Sequence, residues 1–127
     1  MKKRNIYQNQ SQELLHLFEE AGSNEKVMCV PMDYAKNDHL VMFCNGHGDI
    51  LRKPFSVKNT PEGIAYIDDQ VMRSCRKHGI LKTHVFFGGE DANSFAKNFV
   101  STLRSKGFVV ANVNAHDAKK QRGNVQA

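Results

Sequence analysis

The sequence predicts a mixed α/β fold in which three antiparallel strands form a meander and two parallel strands follow, each reached through a helix. Short apolar runs bounded by turn residues predict the strands, because a helix needs a longer periodic stretch. Two stretches with apolar residues at helical spacing alternate with the later runs. This order predicts right-handed parallel crossovers.

The first two predicted strands are the part of the chain around which the rest is arranged. Residues 27–32 are an apolar run that ends in a single carboxylate, Asp33, and residues 40–43 form a second run. Residues 34–37 between them are polar and predict a turn. An acid at the end of a buried strand loses hydration, and this costs free energy unless a lysine or a metal ion compensates for it. Asp33 is therefore a candidate functional residue.

The third strand is predicted over residues 50–57, after a turn cluster at residues 45–49. Pro54 predicts a bulge or an edge position there, because proline cannot donate a ladder hydrogen bond. A helix follows, since Thr60 can cap it and Pro61 suits its first turn. The apolar stripe of this helix, which Gly79 ends, consists of Ile64, Ile67, Val71 and Cys75.

The fourth predicted strand, residues 82–87, runs into a pair of glycines and then Glu90. Glycines let the backbone turn sharply or approach a ligand closely. Glu90 therefore follows its strand as Asp33 follows the first. The remaining predicted elements are a helix over residues 93–106 and a fifth strand over residues 108–113.

The amino-terminal segment carries no chemistry that its residues reveal. Residues 1–10 are polar and basic and predict a frayed chain end. Ser11 can cap a helix over residues 11–21 that Gly22 ends. We expect this helix to serve in packing or dimerisation.

The length and composition limit the class of protein. At 127 residues the chain has room for one domain, and its apolar runs are shorter than the roughly eighteen residues of a membrane span. No hydrophobic region follows the basic first residues, so we expect no export and a cytoplasmic location. Three separated cysteines without a CxxC pair indicate buried thiols rather than zinc or disulfides. The histidines are scattered and show no ligand spacing.

The charge of the chain favours a nucleic-acid partner. The net charge is +5, a balance that suits a polyanion, although a merely basic protein would show it too. The carboxyl-terminal part carries the basic residues Arg104, Lys106, Lys119, Lys120 and Arg122. We expect the last three of these, together with Lys36, to contact phosphates; a solvated tail is the alternative.

Asp33 and Glu90 are the candidate metal ligands and catalytic residues. Ligands gather at the carboxyl ends of parallel strands. If strands one and four are neighbours, the two carboxylates therefore lie within about 8 Å of each other, close enough for bridging metals or their waters. Mg²⁺ or Mn²⁺ would relieve their repulsion and could serve a phosphoryl transfer. Alternatively, acids follow strands simply because strand ends reach water.

Four segments in order resemble the IS110-type transposases of insertion sequences. MDYAK at residues 32–36 resembles the opening Asp-x-Ser/Ala-Lys strand exit of that family, and VKNTPEG at residues 57–63 closely resembles its NTPEG helix start. GGEDA at residues 88–92 resembles its Gly-x-Glu-Ala/Thr segment, and VANVN at residues 110–114 resembles the strand before its basic segment. The resemblance covers residues 27–127, although Pro31-Met32 replaces the usual Gly-Ile.

The resemblance implies an RNase H-like fold of the RuvC type and metal-dependent cleavage and joining of DNA strands in transposition. Asp33 matches the first acid of the family's Asp-Glu-Asp-Asp set and Glu90 the second. The last two would follow the basic segment, where Asp117 arrives too early to be either. The family also has a second domain with a nucleophilic serine, and some members bind a structured guide RNA.

The expected organisation is that of an amino-terminal transposase portion. Residues 1–25 would be a basic helical extension, and residues 26–127 a catalytic domain that is incomplete at its carboxyl-terminal end. DNA is the expected partner, with a guide RNA and a homo-oligomer as further possibilities. We expect the chain alone not to cut DNA.

Two other functions fit parts of the pattern. In a basic nucleic-acid-binding module, the two acids would have no function. Whether Asp33 and Glu90 converge distinguishes this module from a transposase. An actin-like phosphotransferase domain shares the strand order and an early Asp. It expects a glycine-rich phosphate hairpin between strands one and two, whereas NGHG at residues 45–48 joins strands two and three.

Overall fold

The computed structural model describes the backbone of residues 6–91 and 93–112 and the side chains of residues 10–91 and 93–112. Within these residues the chain forms one five-stranded mixed sheet with three α-helices, which confirms the predicted mixed α/β class. The strands are β1 Met28–Asp33, β2 Asp38–Asn45, β3 Ile50–Lys58, β4 Val85–Glu90 and β5 Val109–Asn112. The helices are α1 Ile6–Ala21, α2 Pro61–His78 and α3 Lys97–Ser105.

The sheet is antiparallel on one side and parallel on the other. Its strand order is β3-β2-β1-β4-β5. The pairs β1–β2 and β2–β3 are antiparallel, and β4 runs parallel to both β1 and β5. β1 is therefore central, and Pro54 lies on the edge strand β3, as its missing N–H predicts.

One apolar core joins the sheet to α2 and α3. Alternate residues of the central strands are buried on this face, and α2 buries the stripe that its spacing predicts. Each large side chain that is fully buried contributes about 1.5–3 kcal/mol by leaving water. The largest of them in the sheet and helices are Phe43, Phe87, Phe99, Met28, Ile67 and Leu103.

Helix α2 begins and ends where the sequence predicts. The Thr60 hydroxyl accepts a hydrogen bond from the Gly63 N–H at 3.1 Å, and Gly79 ends the helix in the left-handed region, with φ of 66°. Gly63 also lets the first turn lie directly on the end of β3. A Cβ at Gly63 would stand 1.8 Å from the Lys58 carbonyl oxygen.

Helix α1 covers the opposite face of the sheet. Its Phe18 ring packs on Phe86 with 5.9 Å between centroids, and Phe86 points away from the core because its neighbours on β4 are buried on the other side. The prediction of a frayed segment is wrong for residues 6–10, since α1 begins at Ile6, while residues 1–5 lie outside the described residues. The Gln10 side chain accepts from the Asn112 N–H of β5, a tertiary contact that local sequence does not reveal.

Two more predicted boundaries and one burial prediction need correction. β4 begins at Val85 because Lys82–His84 form a 3-10 turn. Helix α3 begins at Lys97 rather than at residue 93, since Ser94 has a left-handed φ of 58°. The prediction of buried thiols holds for Cys75, while Cys29 and Cys44 are half-buried. None of the helices in the described ranges is long and apolar enough to cross a bilayer.

Candidate functional site

Asp33 and Glu90 end two neighbouring strands at the same level of the sheet. They are the last residues of β1 and β4, and their Cα atoms are partners in the parallel register. Neighbouring strands lie about 4.8 Å apart, and partnered residues project from the same face. The structure therefore brings the two acids together at one edge of the sheet.

Gly89 is the residue that permits this close pairing. A Cβ at Gly89 would lie 2.2 Å from the Met32 carbonyl oxygen and 2.9 Å from Cε2 of Tyr34. A Cβ at Gly88 would meet no atom within 4 Å. The two adjacent glycines thus differ, and it is the second whose missing side chain lets β4 approach β1.

Both carboxylates are exposed, which corrects one expectation from the sequence. Asp33 and Glu90 lie where β1 and β4 reach solvent, so their hydration is retained and burial does not force a compensating partner. Neighbouring carboxylates repel each other, and a cation between them would relieve that repulsion. Carboxylate oxygens are hard ligands, and Mg²⁺ typically takes one or two of them and keeps several waters. The donor set therefore fits Mg²⁺ or Mn²⁺.

A pocket of about 360 Å³ opens beside the two acids. Its floor and walls come from the ends of β1 and β4 and from the two segments that follow them. We call these the first loop, residues 34–37, and the second loop, residues 91 and 93–96. The lining residues are Met32, Asp33, Tyr34, Glu90, Asp91, Asn93 and Phe95.

Tyr34 lines the pocket, and the sequence alone gives it no role. Its side chain is buried, and its hydroxyl has no hydrogen-bond partner among the described residues. Burial, followed by the negative charge of Asp91, raises the pKa of Tyr34 to about 12, while Arg104 opposes the shift. The hydroxyl therefore stays protonated at neutral pH. The available signal was an aromatic residue directly after the strand-end acid.

His39 packs against the ring of Tyr34. The imidazole is fully buried, and its ring meets the rings of Tyr34 and Phe99 edge-on, with centroids 5.3 and 4.7 Å away. Its Nδ1 accepts from the Ala35 N–H at 3.1 Å, so Nε2 carries the proton. Burial lowers the pKa of His39, and the Asn59 side chain and nearby acids oppose that shift. His39 is a neutral core residue.

Asp91 is occupied by its own loop. Its Oδ2 accepts from the Ala96 N–H at 2.9 Å, which closes the turn before α3. Within residues 10–91 and 93–112, no three His, Cys, Asp or Glu side chains are arranged to hold a metal ion together. Asp33 and Glu90 are thus a pair, and the third nearby acid, Asp91, accepts a hydrogen bond from the backbone.

The predicted phosphate contacts fall in two places. Lys36 is exposed in the first loop, two residues after Tyr34 of the pocket lining. Lys119, Lys120 and Arg122 lie outside the described residues, so their contact with nucleic acid stays a prediction.

Comparison with known proteins gives distant similarity at the level of the structure. No protein-family model and no curated protein matches the chain. Among solved structures, the chain is similar to an exopolyphosphatase from Cytophaga hutchinsonii ATCC 33406, with 10% sequence identity and a TM-score of 0.39. The match covers 70% of this chain and 35% of that one, so the chain spans about a third of that protein's length. A similarity of this size carries no argument about function.

Proposed function

We propose that this chain is the amino-terminal, RNase H-like portion of a DNA transposase of the IS110 type, with a RuvC-type arrangement of strands. One observation carries the proposal: Asp33 and Glu90 are register partners at the carboxyl ends of adjacent parallel strands and border a pocket. The resemblance in sequence expects its first two acids at these positions. An antiparallel meander followed by parallel crossovers is also the order that such a domain requires.

Asp33 and Glu90 would hold Mg²⁺ or Mn²⁺ at the mouth of the pocket. When bound, such an ion acts as a Lewis acid on a phosphate oxygen and orients the reacting groups. The chain contributes two carboxylates on paired strands, so the ligands move little relative to each other. Tyr34 lines the pocket beside them as a neutral side chain.

The basic residues would bind the DNA backbone. Lys36 stands in the first loop beside the pocket, and Lys119, Lys120 and Arg122 follow β5 in the sequence. Phosphate contacts position a duplex without reading its bases. Target choice would therefore come from elsewhere, in some members of this family from a guide RNA, and a homo-oligomer is part of the proposal.

Mn²⁺ as a paramagnetic probe tests the proposed site. In amide NMR spectra of the full chain, we expect low concentrations of Mn²⁺ to broaden residues 33–36 and 89–91 first. Asp33→Ala or Glu90→Ala should abolish that broadening. Glu13→Ala is the matched control, because Glu13 is an exposed acid on α1, and it should leave the broadening unchanged. Broadening spread over all exposed acids would contradict a metal site.

The same spectra separate the other two functions. DNA binding that persists without divalent ions and after Asp33→Ala, together with no localised Mn²⁺ effect, would favour a basic binding module. An actin-like phosphotransferase would need a glycine-rich hairpin between β1 and β2. The first loop there contains no glycine, and the glycines at residues 46 and 48 join β2 to β3.

A further inference from the structure

We infer that Asn59 is a positioning residue that clamps the first loop to the second loop and thereby sets the shape of the carboxylate pocket. Its effect on metal binding rests on the proposed function, while the clamp itself does not. Asn59 stands directly after β3, on the edge of the sheet, and is half-buried. It is not among the residues that line the pocket, so it would act through the two loops.

The clamp consists of one side-chain amide with two carbonyl acceptors. Nδ2 of Asn59 donates to the Lys36 carbonyl oxygen at 3.0 Å and to the Phe95 carbonyl oxygen at 2.9 Å. Both partners are acceptors, so the NH₂ group of the amide must face them, and both of its hydrogens are used. The Asn59 backbone N–H donates in addition to the Asn37 carbonyl oxygen at 2.8 Å.

The two acceptors belong to the segments that carry the pocket. Lys36 lies three residues after Asp33, and Phe95 lies five residues after Glu90. Phe95 and Tyr34, one from each loop, both line the pocket. These bonds join residues that are 23 and 36 positions apart in the chain, so they determine tertiary rather than local structure. Without them, Asn59 would no longer link the backbones of the two loops.

Capping of α2 does not explain the Asn59 side chain. The adjacent Thr60 caps that helix, through the bond from the Gly63 N–H to its hydroxyl. The two neighbouring residues therefore have different roles: Thr60 caps the helix, and Asn59 donates hydrogen bonds to the two loops. This division supplies a matched pair of variants, since Thr60→Ala removes a bond at the same place in the chain without releasing either loop.

Amide hydrogen exchange of the full chain tests the clamp directly. The Ala35 N–H, bonded to His39, reports on the first loop, and the Ala96 N–H, bonded to Asp91, reports on the second. In Asn59→Ala we expect both amides to exchange at least about tenfold faster, because local opening becomes easier. In Thr60→Ala we expect faster exchange in the first turn of α2 and unchanged rates at Ala35 and Ala96. Asn59→Ser, too short to reach both carbonyls, serves if the alanine variant does not fold.

Mn²⁺ affinity tests the positioning role. We expect Asn59→Ala to weaken binding at Asp33 and Glu90 by about tenfold, the size typical of losing an outer support of a metal site, and Thr60→Ala to leave it within about twofold. Wild-type exchange rates at Ala35 and Ala96 in the Asn59 variants would overturn the clamp, as would equal acceleration in Thr60→Ala. Faster exchange with unchanged affinity would overturn the positioning role. If the wild type binds no Mn²⁺ at these acids, the proposed function fails, and the exchange rates still decide the clamp.

Discussion

The two loops that follow β1 and β4 carry equivalent acids but are held in different ways. The first loop connects two paired strands, and His39 bonds to its backbone, while Asn59 bonds to the backbone of both loops. The second loop leads into α3, has a left-handed residue at Ser94, and is closed by the carboxylate of Asp91. A hairpin turn needs little support beyond its strands, whereas a strand-to-helix connection needs specific side-chain bonds. We therefore expect the second loop to be the more sensitive to substitution.

The largest effect is expected at Gly89, which pairs with Met32 just before the two loops. Gly89→Ala places a Cβ against the Met32 carbonyl oxygen, so β4 must move away from β1. We expect a loss of about 3 kcal/mol in the free energy of unfolding, the upper range for overpacking. Urea denaturation followed by circular dichroism measures it. Gly88→Ala is the control, with an expected change below about 1 kcal/mol, because its Cβ meets open space. Equal losses at both glycines would contradict the close approach of β4 to β1.

A smaller effect is expected when the second loop loses its own bond. Asp91→Ala leaves the N–H of the buried Ala96 without a partner. An unpaired buried donor costs about 1–3 kcal/mol. We expect faster amide exchange in the second loop and unchanged exchange at Ala35 in the first. The same acceleration at Ala35 would show that the two loops open as one unit and do not differ as described.

The first loop is bonded to a buried histidine, His39, which should make stability depend on pH. The pKa of His39 is lowered by burial, so the unfolded chain binds this proton more tightly than the folded one. Stability is therefore fully present above the unfolded value of about 6.5 and falls as the pH drops toward the lower folded pKa. The slope cannot exceed about 1.4 kcal/mol per pH unit for one proton.

The variant His39→Gln should remove this part of the slope, whatever its effect on stability at neutral pH. Urea titrations between pH 7 and pH 5 give the slope for each variant. His16→Gln is the control, since His16 is exposed on α1. If His39→Gln keeps the wild-type slope, His39 is not the source of the loss of stability below pH 6.5.

The smallest effect concerns DNA. Lys36 gives the first loop a cation, while the second loop contains no lysine or arginine. Each phosphate contact that is lost lowers the slope of log affinity against log salt by about one unit. We expect this decrease for Lys36→Ala and a decrease of about three for alanine at Lys119, Lys120 and Arg122 together. Lys77→Ala, at the exposed end of α2, should leave the slope unchanged. An unchanged slope in the Lys36 variant would remove the first loop from the DNA contact.

The first loop was predictable from sequence and the second was not. Residues 34–37 are polar and separate two apolar runs, so local composition suffices to place the turn. Residues 93–96 were assigned to a helix, because nothing local shows that Asp91 and Asn59 bond to Ala96 and Phe95. The start of α1 was missed for the same reason, since its support from β5 is more than a hundred residues away in the chain.

The candidate site shows the same division. Asp33 and Glu90 follow apolar runs, and a rule for parallel sheets was enough to select them. Tyr34 was not selected, because its burial and its unpaired hydroxyl depend on how Gly89 and His39 pack around the ring. Asn59 was part of a recognised helix start, yet its bonds run to two loops that sequence does not bring together.

The central claim is that Asp33 and Glu90 act as one site, and a double-mutant cycle on Mn²⁺ affinity tests it most directly. Asp33→Ala, Glu90→Ala and the double variant would each be titrated with Mn²⁺, followed by electron paramagnetic resonance of the free ion. Residues that share one ion are coupled, so the effects of the single changes should not add. We predict that either single change removes the tight binding and that the double change weakens it no further. Additive effects, or affinity that neither change alters, would contradict the account.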